Sequence, residues 1–154
     1  NTDADPEILV AIGELSTSIG AADITEVEMV TTTADKSEGF TISVRVRYNE
    51  PVDVVTTGGT PTLAVTNGNE GTGTGRGPHT LSYASGTGTN ELIFSLAIAA
   101  ANAATNADDV LSVGAQTIAL NSGTIKDASG TASDAALVIS GAVGTAAGTV
   151  TVTA

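Results

Sequence analysis

The chain contains no cysteine and no tryptophan, and its aromatic content is 3%: Phe40, Tyr48, Tyr83 and Phe94. Without cysteine there is no disulfide and no thiolate metal site, so core packing has to supply the stability. With so few rings the core must be built from Val, Ile, Leu and Ala, and there is no aromatic platform for a sugar. Positive charge is equally scarce, with 5 Lys and Arg against 17 Asp and Glu and a net charge of −12. Such a surface repels phosphate backbones and anionic membranes, which argues against a nucleic-acid partner. No stretch approaches the roughly 18 consecutive apolar residues of a membrane span, so no membrane insertion is expected. The chain opens on Asn1 without a signal-peptide pattern; a removed leader, a trimmed methionine and a fragment boundary all fit that start. His79 is the only histidine. It follows Pro78 into a strand, which predicts a partly exposed strand residue rather than a catalytic relay.

What is present is alternation. The 154 residues suit one domain with a single core. In "FTISVRVRY", Phe40, Ile42, Val44, Val46 and Tyr48 share one face, while Thr41, Ser43, Arg45 and Arg47 share the other. A one-residue slip would bury two arginines, so the register is well specified. Pro51 cannot donate to a ladder and is expected to end this strand. In "ITEVEMV" a regular strand puts Ile24 in phase with Glu26 and Glu28, with Val27 and Met29 opposite. Further strands are expected at 62–65, 79–84, 91–98, 116–121, 136–140 and 149–152, separated by Gly, Asn and Ser turns. In the segment 91–98, Leu92, Phe94, Leu96 and Ile98 line one face. The Ala-rich stretch 97–109 permits a turn or two of helix but has no apolar stripe, so it is taken as a crossover. The glycine-rich run 71–78 has no helix after it to hold a phosphate and is a hairpin loop. These features predict an all-β fold, a β-sandwich. Residues 1–23 form an N-terminal arm and residues 24–154 the domain.

The order "VRVRYNEPVDV", "GGTPTLAV", "HTLSYASGTGTNELIFSLAI", "AQTIALNSGTIKDASGTASDAAL" resembles the bacterial Ig-like repeats of secreted adhesins and other extracellular arrays, which also occur on phage virions. The likeness covers about residues 24–140 and leaves the arm and the tail outside it. It implies an Ig-like β-sandwich of about 7–9 strands. Where that family carries an acidic loop, this chain has "TNADDVL", keeping Asn106, Asp108 and Asp109 but not the glycine.

Three groups of residues are candidate sites. Asn106, Asp108 and Asp109, with Asp127 as a further oxygen donor, are either solvated loop charge or a weak calcium site; calcium takes roughly 6 to 8 oxygens, more than this stretch supplies. Asp127 is otherwise an Asx turn before Gly130. Arg45 and Arg47 either pair with Glu26 and Glu28 on a neighbouring strand or meet an acidic partner. Ile8, Leu9, Val10 and Ile12, in the run "ILVAI", either form a strand of their own domain or add to the sheet edge of a neighbouring subunit.

No nucleophile, base and oxyanion set is visible, so the chain is expected not to be an enzyme and to need no cofactor. Two functions remain. One is a structural subunit that decorates or joins a virion or extracellular surface, through self-association or a surface lattice; phage-capsid decoration is its most concrete form. The other is a spacer or binding module of a secreted adhesin.

Overall fold

The computed structural model describes residues 20–68, 77–102, 104–128 and 132–154. The run 8–12 and most of the glycine-rich loop lie outside the described residues. The organising element is β3 (Phe40–Val55), which follows β1 (Ile24–Met29) and β2 (Ala34–Asp35). After it come β4 (Thr62–Gly68), β5 (His79–Ser85), β6 (Thr89–Ile98), β7 (Val110–Ser112), β8 (Gln116–Thr117), β9 (Thr124–Asp127) and β10 (Val138–Ile139). The helix α1 (Gly141–Ala146) and β11 (Thr149–Thr153) complete the described chain, which is all-β apart from that one helix.

The main sheet runs β1-β3-β6-β5-β4-β7-β11-β2, with β9 added to the second half of β3. Its two outermost strands, β1 and β2, are joined by residues 30–33 alone. Seven flat interstrand steps of about 4.8 Å would put those edges about 34 Å apart. Five Cα steps of about 3.6 Å span at most about 18 Å. The sheet therefore has to curl, and its concave side encloses the core. The expected inner face of β3 is inside it: Ile42, Val44, Val46 and Tyr48 are buried, and Phe40 packs against them. Leu92, Phe94 and Ile98 meet them from β6, with Leu96 partly buried beside them. Tyr83 sets its ring edge-on to Phe94 at 6.1 Å between centroids.

Several expectations are corrected. Pro51 does not end β3. It lies in the irregular stretch between Arg47↔Glu91 and Val52↔Thr89, after which Val52–Val55 pair with β9. A missing N–H costs nothing where the strand is changing partners. Ile24 is not on the glutamate face: a register shift between Ile24 and Glu26 lets it pair opposite Tyr48 and pack against the core. Residues just before 24 also contribute to the packing. Ala22 is fully buried and its carbonyl accepts from the Ala136 amide at 2.8 Å, while Asp23 and Asn49 are bonded to each other.

The helix is not in the Ala-rich segment. There Lys36 Nζ donates to the carbonyls of Asn102 and Thr105, holding the chain in turns. It falls instead on "GAVGTA", where Ser140 Oγ accepts from the Val143 amide as an N-cap. Propensity is poor with two glycines; the tertiary contact decides, because a Cβ on Gly144 would lie 2.3 Å from the Gly114 carbonyl oxygen.

Candidate functional site

The polar face of β3 carries a cluster of charged side chains. The pairing of β1 with β3 sets Glu26 opposite Arg47 and Glu28 opposite Arg45. Arg47 bonds Glu26 Oε2 at 2.7 Å and reaches Glu91 Oε1 through Nε at 3.0 Å. Arg45 pairs with Glu28 and approaches Glu91 Oε2 at 3.7 Å. The guanidinium of Arg47 holds the Glu91 carboxyl below its ordinary range, and Glu91 in turn raises Arg47. The reading in which these arginines pair within the sheet is the one observed. Glu91 is a partner that sequence reasoning missed, since only the register of β6 against β3 reveals it.

The stretch with Asn106, Asp108 and Asp109 is a turn bound to β11. Asp109 is fully buried, and its Oδ2 accepts from the Asn106 amide at 2.7 Å. The Asp108 amide donates to the Val152 carbonyl at 2.9 Å, and the Val152 amide donates to the Asp109 carbonyl at 2.8 Å. Asp108 has φ 72°, a left-handed conformation that Asp tolerates. Asp127 does not join this group. It sits on β9 opposite Val52, whereas the turn follows Ile98, which pairs with Phe40 at the other end of β3. Among the described residues no three His, Asp or Glu side chains gather as a metal site.

Asp127 instead faces Glu50. It is 1% exposed, and burial together with the Asp127 charge and hydrogen bond raises the Glu50 carboxyl, with Asp23 adding to the effect. These three carboxyls come from "AAD", "NEP" and "IKD", segments whose proximity no spacing in the sequence announces. His79 is 4% exposed rather than partly open, with Nε2 2.8 Å from Thr105 Oγ1. Thr105 is itself fully buried, so this hydroxyl–imidazole pair lies inside the fold and ties β5 to the turn at Thr105.

A cleft of about 500 Å³ lies between β1 and α1, walled by Val27 on one side and Ala142, Val143 and Ala146 on the other. Glu26 and Glu28 stand at its rim. No helix among the described residues is long and apolar enough to cross a membrane. Comparison with protein-family models, with curated proteins and with solved structures finds no match to this chain.

Proposed function

We propose that the protein is a non-enzymatic structural subunit of Ig-like architecture that decorates or joins an extracellular or virion surface, with phage-capsid decoration as its most concrete form. The observation that carries the architecture is the strand order. Read along the curled sheet, β1-β3-β6-β5 followed by β4-β7-β11 has the same strand order as the A-B-E-D and C-F-G sheets of Ig sandwiches, with β5 and β4 still paired where the two halves meet. The short β2, parallel to β11, fits a split first strand that crosses between the two sides.

The charged side chains support the scaffold reading. The four described cations, Lys36, Arg45, Arg47 and Lys126, are each engaged within the chain. The buried His79–Thr105 pair offers no open site for chemistry. Recognition then falls to sheet edges and to the apolar run Ile8, Leu9, Val10 and Ile12. Deleting residues 1–19 is expected to leave a folded β domain by circular dichroism and to abolish self-association or particle binding in sedimentation. Unfolding would make the segment a core strand; unchanged assembly would remove the case for an assembly subunit.

The adhesin spacer is the second reading, and one observation favours it. Asp23 is bonded at Asn49, past the middle of β3, whereas Thr153 accepts from Lys36 shortly before β3 begins, so the described chain enters and leaves at separate points along β3. That arrangement suits domains strung head to tail. Tandem copies of this domain in the native polypeptide, found by intact mass, would decide for it.

A further inference from the structure

Three carboxyl-bearing segments meet around residues 49–52 of β3. The Ala128 amide donates to the Pro51 carbonyl at 3.0 Å, which lays Asp127 alongside Glu50. The Asp23 amide donates to Asn49 Oδ1 at 2.7 Å, and the Asn49 amide donates back to the Asp23 carbonyl at 3.0 Å. Tyr48, Glu50 and Val52 alternate with exposed Asn49 and Pro51, so Glu50 turns towards the core side of the sheet. Asp127 pairs with Val52 and is buried on that same side. Glu50 Oε1 is closed to solvent and has no hydrogen-bond partner among the described residues. The next charges along the ladder, Asp53 and Lys126, alternate to the other face, where Lys126 bonds Asp134 at 3.0 Å. Arg47, further back on β3, is held by Glu26 and Glu91. Burial first, then the charge of Asp127 and its hydrogen bond, then Asp23, raise the Glu50 carboxyl.

The same place anchors the chain where it leaves residues 1–19. The Asp127 amide donates to the Ser133 carbonyl at 2.8 Å and the Ala135 amide to the Ile125 carbonyl at 3.1 Å, so β9 holds residues 133–136. The Ala136 amide then holds the Ala22 carbonyl at 2.8 Å, and Tyr48 Oη donates to the Ala136 carbonyl at 3.0 Å. Residues 20–23 are therefore tied at two points, Ala22 to Ala136 and Asp23 to Asn49, and the Glu50–Asp127 contact adjoins both.

We propose that Glu50 is a proton-operated latch that holds residues 20–23 against β3 and residues 133–136. With its proton in place, Glu50 donates to Asp127 and the three segments close. Loss of that proton to solvent sets a further negative charge against Asp127 and Asp23 in a place shielded from water. The strain is relieved when residues 133–136 part from the four-residue β9 and let go of Ala22. The ladder of Phe40 to Arg47 against β6 contains none of these groups and stays shut. The closed form binds the proton more tightly than an opened one, so closure is complete in acid and weakens as pH rises through the native value.

Amide exchange on the full chain, expressed as protection over the intrinsic rate, reads the latch directly. From about pH 5 to about pH 7.5, protection at Asn49, Ala135 and Ala136 is expected to fall on the order of fivefold relative to residues 92–96 of β6. Glu50→Gln keeps a donor to Asp127 and should hold at the higher pH the protection that the parent has at the lower. Asp23→Asn, at an exposed position, should recover part of it. Glu38→Gln, exposed between β2 and β3, makes the same change in net charge and should leave the fall as it is in the parent. Equal falls in the parent and in Glu50→Gln overturn the inference, as does a recovery of the same size in Glu38→Gln. So does a fall shared by the β6 amides, which marks loss of the whole fold. If Glu50→Gln does not fold, an unchanged fall in Asp23→Asn overturns it instead.

Discussion

Glu50 shows how a single side chain carries the energetics of a local charge cluster. It follows Asn49 within β3 and is brought against Asp127 and near Asp23. Its pKa is raised above an unfolded value of 4.5, so the native state holds the proton more tightly. The stability that Glu50 supports is then complete below about pH 4.5 and is lost as pH rises through the higher native value. Glu91 works the other way: Arg47 depresses its pKa, so its contribution is present above 4.5 and lost as pH falls through the native value. Glu50→Gln is expected to raise the melting temperature at pH 7, because it removes the repulsion and leaves an amide that donates to Asp127. The gain should shrink towards pH 4.5 in melts over a pH series. A variant less stable than the parent at pH 7 would show that the Glu50 carboxylate is needed in its charged form.

At the scale of elements, the loops "TGGTP" and "LNSGT" are fitted into each other. A Cβ on Gly59 would lie 1.6 Å from the Asn121 carbonyl oxygen, and one on Gly123 would lie 2.3 Å from the Gly59 carbonyl oxygen. Asn121 also donates through Nδ2 to the Thr60 carbonyl and to Thr62 Oγ1, each at 3.0 Å. The glycines are there because two backbones approach closely, and neither backbone can give way without moving β4 or β9. Gly59→Ala is therefore expected to destabilise by about 3 kcal/mol or more. Gly141→Ala is the contrasting variant: nothing lies within 4 Å of its Cβ, and it sits at the start of α1. It should be neutral or stabilising by about 0.5–1 kcal/mol. Equal losses from the two in urea titrations would remove the close-approach argument.

For the whole molecule the dominant fact is the charge of −12, set against cations already committed to internal partners among the described residues. Self-repulsion of this kind opposes the compact state and is screened by salt. The melting temperature is expected to rise with sodium chloride up to about 0.15 M and then level off, as the Debye length falls to about 8 Å. About 10 mM calcium should add nothing beyond sodium chloride of equal ionic strength. A saturable gain with Kd on the order of 10⁻⁴ to 10⁻³ M would instead establish an ion site at Asn106, Asp108 and Asp109.

The strands with clean alternation were legible from the residues alone. Phe40 to Tyr48 and Leu92 to Ile98 carry a period of two that only one burial arrangement satisfies, and the scarcity of cysteine, aromatics and cations already limited the chemistry available. Local pattern could not show where the chain departs from regularity. The bulge that turns Ile24 inward, the passage of β3 through Pro51, and the helix at Gly141–Ala146 rather than in the Ala-rich segment each depend on a partner far away in the sequence. The same holds for the sites. Arg45 and Arg47 opposite Glu26 and Glu28 were foreseeable because adjacent strands pair along matched faces. Glu91 beside Arg47, Glu50 beside Asp127, and the cleft between β1 and α1 exist only once the curled sheet brings remote segments together. Side-chain periodicity is a property of a few neighbouring residues, whereas register, close approach and shared burial are properties of pairs that the chain joins over long distances.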